Sequence, residues 1–234
     1  MEDDGGRRRT MVKRTTVIAA LAVFALAACS AGAQEIALPE PVTHGDTSIE
    51  SAIERRRSVR SFAAEALTLS QVGQLLWAAS GSTVDGTSGP TRAAASAGGL
   101  YPVESYVVAE NVAELEAGVY RYLWSEHALQ RIRTGSVSAQ LERGALSQPA
   151  VGAAPAVVVL AADYSVTAER YGERGVERYV HMDAGHAAQN VILQAEALAL
   201  GSVPIGAFDD AAVAQTLDIE TEPLYVIPVG EPAD

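Results

Sequence analysis

The sequence predicts an α+β domain with a mostly antiparallel central sheet. Short strand-like runs at residues 105–109 (SYVVA), 119–123 (VYRYL), 156–161 (AVVVLA) and 224–229 are interspersed with helical patterns in no regular βαβ order. The first two runs are joined by a turn around Gly118, as antiparallel neighbours are. No internal repeat appears, so a solenoid or propeller is set aside.

The elements follow in order. Residues 30–47 (SAGAQEIALPEPVTHGDT) are rich in Ala, Pro, Gly and Thr without periodicity and read as a tether. Residues 49–57 can start a helix. Thr68-Leu69-Ser70 precedes a second, in which Val72, Leu75, Leu76 and Ala79 share one face and Ser80-Gly81 stop it. Residues 81–100 carry small polar residues and read as a long functional loop. Residues 137–148 form a short helix. The unbroken apolar run at 156–161 is a strand buried on both faces. Residues 181–200 hold the longest helical pattern, with Ala184, Gly185, Ala187 and Ala188 on its first turns and Gly201 as its terminating glycine.

Charge separates the N-terminus from the rest. Lys13 is the only lysine, and from Cys29 onward the chain keeps 12 of its 17 basic and 26 of its 29 acidic side chains, a net charge of −14. So acidic a surface excludes nucleic acid and electrostatic docking on anionic lipid. Residues 17–28 (VIAALAVFALAA) are an apolar run behind Lys13 and Arg14. As a helix the run covers about 18 Å, short of the roughly 30 Å hydrocarbon core, so it fits a signal-peptide core rather than a span. It ends in Leu26-Ala27-Ala28-Cys29, which resembles the lipobox of bacterial lipoproteins. That resemblance implies an exported protein whose mature chain begins at an acylated Cys29 and is held to a membrane by lipid. The expected division is a signal peptide at 1–28, a lipid-anchored linker at 29–47 and a domain at 48–234. Residues 8–13 (RRTMVK) admit two readings: a degraded twin-arginine signal, suited to folded cargo, or a true start at Met11 with residues 1–10 never translated.

Three segments carry chemistry. The first is residues 55–62 (RRRSVRSF), which holds 4 of the 12 basic residues of the mature chain. Forked guanidiniums and a nearby serine hydroxyl match phosphate oxygens, although a bare arginine run also serves as a solvated helix end. The second is residues 92–102 (RAAASAGGLYP), where small residues allow backbone to approach a flat ligand and Ser96 can bond its polar edge. The third is residues 204–209 (PIGAFD), where a glycine N–H on a rigid loop can face an aromatic nitrogen. Read singly, the second is also a connector and the third a turn.

Together with residues 183–190 (DAGHAAQN), these segments resemble the nitroreductase superfamily, and within it the SagB-type branch that includes azoline oxidases. The resemblance covers residues 48 to 232. It implies an α+β homodimer with two FMN sites at its interface. Arg56, Arg57, Ser58 and Arg60 would hold the FMN phosphate. Ala95, Ser96 and Gly98 would contact the flavin from the partner subunit, and Pro204, Ile205 and Gly206 would line its ring near N5.

The chain departs from the pattern in two ways. Azoline oxidases use a Lys-Tyr pair, and no lysine follows Lys13. Many members also carry a basic residue after the C-terminal Pro-x-Gly, where this chain has Glu231 and Pro232 after Pro228-Val229-Gly230. Phosphate binding then rests on the N-terminal cluster. His181 and His186 stand five apart, not at the three-or-four spacing of a same-face metal pair, so no metal is expected. Tyr101 and Tyr106 read as core or flavin-adjacent aromatics, core being the simpler role. No side chain is singled out as catalytic. The function expected is an FMN-dependent oxidoreductase acting on a small molecule with an unidentified electron donor. The alternatives are a peptide-modifying dehydrogenase and a lipid-anchored flavin-binding or interaction protein without turnover.

Overall fold

The computed structural model describes residues 1–2, 35–86 and 89–233. The stretches expected to be a signal peptide and an export signal, and Cys29, lie outside the described residues apart from residues 1–2.

The strands of the main sheet are β1 (Glu35–Ala37), β4 (Val103–Ala109), β5 (Gly118–Leu123), β6 (Ala128–Thr134), β7 (Ala156–Ala162), β8 (Gly201–Ser202) and β9 (Glu222–Gly230). Their spatial order is β1-β6-β5-β4-β7-β9-β8, and every pairing is antiparallel. β2 (Ser82–Gly86) and β3 (Gly89–Arg92) form a separate ribbon. The helices are α1 (Ile49–Arg55), α2 (Leu69–Ser80), α3 (Ser138–Gly144), α4 (Pro149–Ala153), α5 (Tyr164–Tyr171), α6 (Val180–Ala197) and α7 (Asp210–Leu217). A π-helical turn, Gly175–Tyr179, leads into α6.

β7 shows why the sheet is buried on both sides. Ala156, Val158 and Leu160 alternate onto the core shared with α2 and α6. Val157, Val159 and Ala161 alternate onto the core of α3, α4 and α7. Each fully buried aliphatic side chain contributes about 1.5–3 kcal/mol, so the unbroken apolar run is what a central strand requires. On the first face Val72, Leu75, Leu76 and Ala79 of α2 are buried as their spacing predicts. Thr68 caps α2 in a capping box with Gln71. Small residues on α6 (Ala184, Ala187, Ala188) let it lie close to the sheet and α2, and Asn190 Nδ2 donates to Ala78 O at 3.1 Å and Ala93 O at 3.2 Å.

Four expectations are corrected. Residues 35–47 are not a free tether: β1 pairs with β6, Leu38 is buried, and Val42 N donates to Gln74 Oε1 at 2.8 Å. Residues 81–100 are not one loop, because the β2–β3 ribbon and a 3₁₀ turn at Ala97–Gly99 lie within them. The ribbon stands off the main sheet, so no apolar alternation marks it. Gly118 is the first residue of β5 rather than the centre of a turn. Gly201 does not end α6. The helix stops at Ala197, Ala199 takes the left-handed conformation (φ 59°), and Gly201 belongs to β8.

Candidate functional site

The arginine segment leaves α1 and becomes an extended edge beside β8. Arg55, in the last turn of α1, pairs with Glu196 near the end of α6 at 3.1 Å. Both side chains are partly exposed, so the pair contributes at most about 1 kcal/mol, but it ties the two helix ends together. Arg56 caps α1, its N–H donating to Ala52 O at 3.0 Å, and Arg57 Nε donates to Arg55 O at 3.2 Å. Ser58 then bridges Ser202 in parallel, with Val59 N donating to Ser202 O at 3.0 Å. Farther along, Ala63 N donates to Glu231 O at 2.9 Å and Ala233 N to Ser61 O at 3.0 Å. The cluster thus stands on backbone fastened to both β8 and the tail of β9.

This bridge brings the third segment to the first, since Pro204 follows Ser202 by two residues. Ile205 is buried and exchanges two backbone hydrogen bonds with Val226, at 2.9 and 3.0 Å. Gln148 Nε2 donates to Ala207 O at 2.8 Å, and Asp209 N donates to Gly144 O at 2.9 Å. Asp209 also caps α7. Gly206 is exposed between these anchors, and its N–H has no hydrogen-bond partner among the described residues. The anchored loop therefore presents a donor without a partner among the described residues, four residues after the Ser202 that bridges Ser58.

The second segment lies elsewhere. Asp183, buried in the first turn of α6, accepts from Ser96 Oγ at 2.6 Å and from Ala97 N at 3.2 Å. Ser96 Oγ in turn accepts from Tyr101 N at 2.8 Å. The Ser96 hydroxyl is therefore committed to its own loop, with only one lone pair left for a ligand. His186 Nδ1 and Ala95 O are 2.9 Å apart. Ala95 and Gly98 remain exposed. Gly98 has φ +63°, and a Cβ there would lie 2.5 Å from the Tyr171 hydroxyl, so the position demands glycine. From Asp183 to Glu196 the axis of α6 runs about 20 Å. One subunit therefore unites Arg56–Arg60 with Pro204–Gly206 and holds Ala95, Ser96 and Gly98 near the other end of α6.

Sequence reasoning missed Asp183, Gln148 and Asn190. Asp183 was legible as a carboxylate on a helix face otherwise made of small residues. Gln148 carried no such signal, because its role depends on two loops meeting. Tyr106 belongs to the core of α3, α4 and α7, and its hydroxyl meets Glu104 and Thr221. Burial first, and then the bond to Glu104, push that phenol above its ordinary range.

The residues present suit a phosphorylated flat cofactor. Arg56, Arg57 and Arg60 form no ion pair among the described residues, in a chain where carboxylates outnumber cations. Arg57, Ser58 and Arg60 are exposed and Arg56 is half-buried. Their forked donors and the Gly206 N–H are thus available to phosphate and to a ring nitrogen.

The chain is similar to known proteins over most of its length. The family model described as the nitroreductase family matches residues 53–231. A protein of Methanocaldococcus jannaschii named as a nitroreductase is 40% identical over 196 residues, which is 84% of this chain and 96% of that protein. A structure from Anabaena variabilis, also named as a nitroreductase, has a TM-score of 0.72 at 28% identity. The match covers 86% of this chain and 42% of that one. A chain of the E. coli microcin synthetase McbBCD complex, solved with truncated pro-MccB17 bound, has a TM-score of 0.63 at 25% identity, over 94% of this chain and 85% of that chain. The chain belongs to the nitroreductase family, whose members are FMN-dependent oxidoreductases.

Proposed function

We propose that this chain binds FMN and catalyses hydride transfer between the flavin and a small substrate, as a SagB-type member of its family. The bridge between Ser58 and Ser202 carries the reading, because it joins the unpaired arginines to the Gly206 loop. In this reading Arg56, Arg57, Ser58 and Arg60 hold the phosphate, and Pro204, Ile205 and Gly206 line the ring with the Gly206 N–H directed to N5. When bound, the flavin supplies hydride chemistry at N5. The protein's part is to bind, to orient the ring and to supply fixed donors.

The reading includes a homodimer. Ala95, Ser96 and Gly98 lie near the end of α6 remote from the arginine segment, so a second subunit is the natural source of their flavin contact. It also includes an exported protein held to a membrane through an acylated Cys29. Nicotinamide reductants are cytoplasmic, so the donor of an exported enzyme is a quinol or a redox protein. The likeness to a microcin synthetase chain favours a second reading, a dehydrogenase acting on a peptide. The missing lysine argues against azoline oxidation by a Lys-Tyr pair.

The test is a visible spectrum and intact mass of protein purified from membranes. Flavin absorbance near about 450 nm and an acylated Cys29 are expected. Arg60→Ala or Ser58→Ala should release FMN while leaving the circular dichroism spectrum unchanged. Protein that stays colourless after incubation with FMN, or variants that keep it at full affinity, would overturn the flavin site.

A further inference from the structure

Arg92 ends β3 and carries a partly buried guanidinium. The group lies over the faces of two rings, 4.7 Å from the centroid of Tyr101 and 4.2 Å from that of Trp124. Among the described residues its side chain makes no ion pair and no hydrogen bond, and Nε is buried without a partner. The quadrupoles of the two rings attract the cation and hold the group in place. Contacts with ring faces use none of the N–H donors in hydrogen bonds, so the forked N–H groups remain for recognition, and they suit a two-oxygen anion.

The side chain borders a cavity of about 130 Å³. Ser80 and Ser105 also line it, both buried, with their hydroxyls 2.8 Å apart. One hydroxyl proton is used within that pair, which leaves the other O–H able to donate. The other charges on the cavity wall are committed. Arg121 pairs with Glu104 at 2.5 Å, and Asp163 accepts from Ser165 N at 2.9 Å and Ser165 Oγ at 2.6 Å as the cap of α5. Glu104 and Asp163 disfavour a multiply charged anion, while Arg92 retains a positive charge that no direct ion pair offsets.

We propose that this cavity binds a small monocarboxylate, gripped by the Arg92 fork with a serine hydroxyl as a further donor. The site lies behind the loop that bears Ala95, Ser96 and Gly98 and does not depend on the flavin reading. Arg92 N donates to the Tyr101 hydroxyl at 3.2 Å and Tyr101 N to Ser96 Oγ, so an anion here also steadies that loop.

Trp124 is a built-in reporter, being one of two tryptophans in the chain, so Trp77→Phe leaves it alone. The full-length protein is titrated with sodium acetate, ionic strength being held constant with sodium chloride, and followed by Trp124 emission and by calorimetry. A saturable response with millimolar affinity is expected, weakened about tenfold in Arg92→Gln and several-fold in Ser105→Ala. A response that does not saturate, or the same affinity in Arg92→Gln, overturns the proposal. If Arg92→Gln has no cooperative melt, Arg92→Lys replaces it. The ammonium keeps the charge and loses the fork, so unchanged affinity overturns the proposal there too. Flavin content, read from the visible spectrum of the same samples, reports separately on the proposed function.

Discussion

Gly201 leaves no room for a side chain against Val59: a Cβ on Gly201 would lie 2.6 Å from Val59 Cγ1 and 2.7 Å from Val59 Cβ. The close approach lets the arginine segment lie flush on β8. Gly201→Ala should therefore destabilise the fold by about 1–3 kcal/mol and weaken FMN binding, because the segment must move outward. Gly206→Ala is the stability control, since nothing lies within 4 Å of its Cβ position. Thermal melts and flavin titrations check both. Equal melting temperatures for Gly201→Ala and the parent would refute the packing argument.

Asp183 is the acceptor around which the loop at 95–101 is organised. Removing it strands the Ser96 hydroxyl and the Ala97 N–H, so Asp183→Ala should cost about 1–3 kcal/mol in urea unfolding. Asp183→Asn keeps one carbonyl acceptor and should cost less. If both variants unfold at the parent's midpoint, the network does not hold the loop.

Gln148 secures the far side of the Gly206 loop through its bonds to Ala207 O and to Ala145 O, at 2.8 and 3.0 Å. Gln148→Ala should leave Ala207 O without its side-chain donor and lower flavin affinity several-fold, with stability falling by about 1 kcal/mol. Hydrogen exchange across residues 203–209 should speed up in the variant. Unchanged exchange there would show that the loop needs no such support.

Tyr164 ties stability to alkaline pH. Burial first, then the charge of Glu222, raise its phenol from 10.0 to about 12. A group with a raised folded-state pKa is protonated in the fold after it would ionise in the unfolded chain. Its contribution is therefore complete below pH 10 and is lost as pH rises toward 12. Tyr164→Phe should flatten the decline in urea midpoint over that window. An identical slope in parent and variant would remove Tyr164 from the explanation.

Much of the fold was legible because apolar spacing is a local signal. The face of α2 and the unbroken run of β7 each announce how many sides are buried. β6 was not seen, since ALQRIRT buries only Ala128 and Leu129 and continues with Gln130, Arg131 and Arg133. β8 has two residues and no pattern to read. α7 follows a loop whose only local mark is the capping Asp209. The arginine segment and the Gly206 loop were both visible as motifs. Their adjacency was not, because residues 58 and 202 meet only through sheet closure.

By itself the sequence determined the residue types suited to phosphate, the glycine-bearing loops and the apolar faces that build the two cores. These follow from side-chain chemistry and from periods of two and 3.6 residues, which need no distant partner. Tertiary structure decided that the Ser96 hydroxyl serves Asp183, that Gly201 packs on Val59 rather than ending a helix, and that Arg92 meets two aromatic rings at the wall of a cavity. Each of these depends on segments far apart in the chain being brought within a few ångströms, and no local pattern encodes that distance.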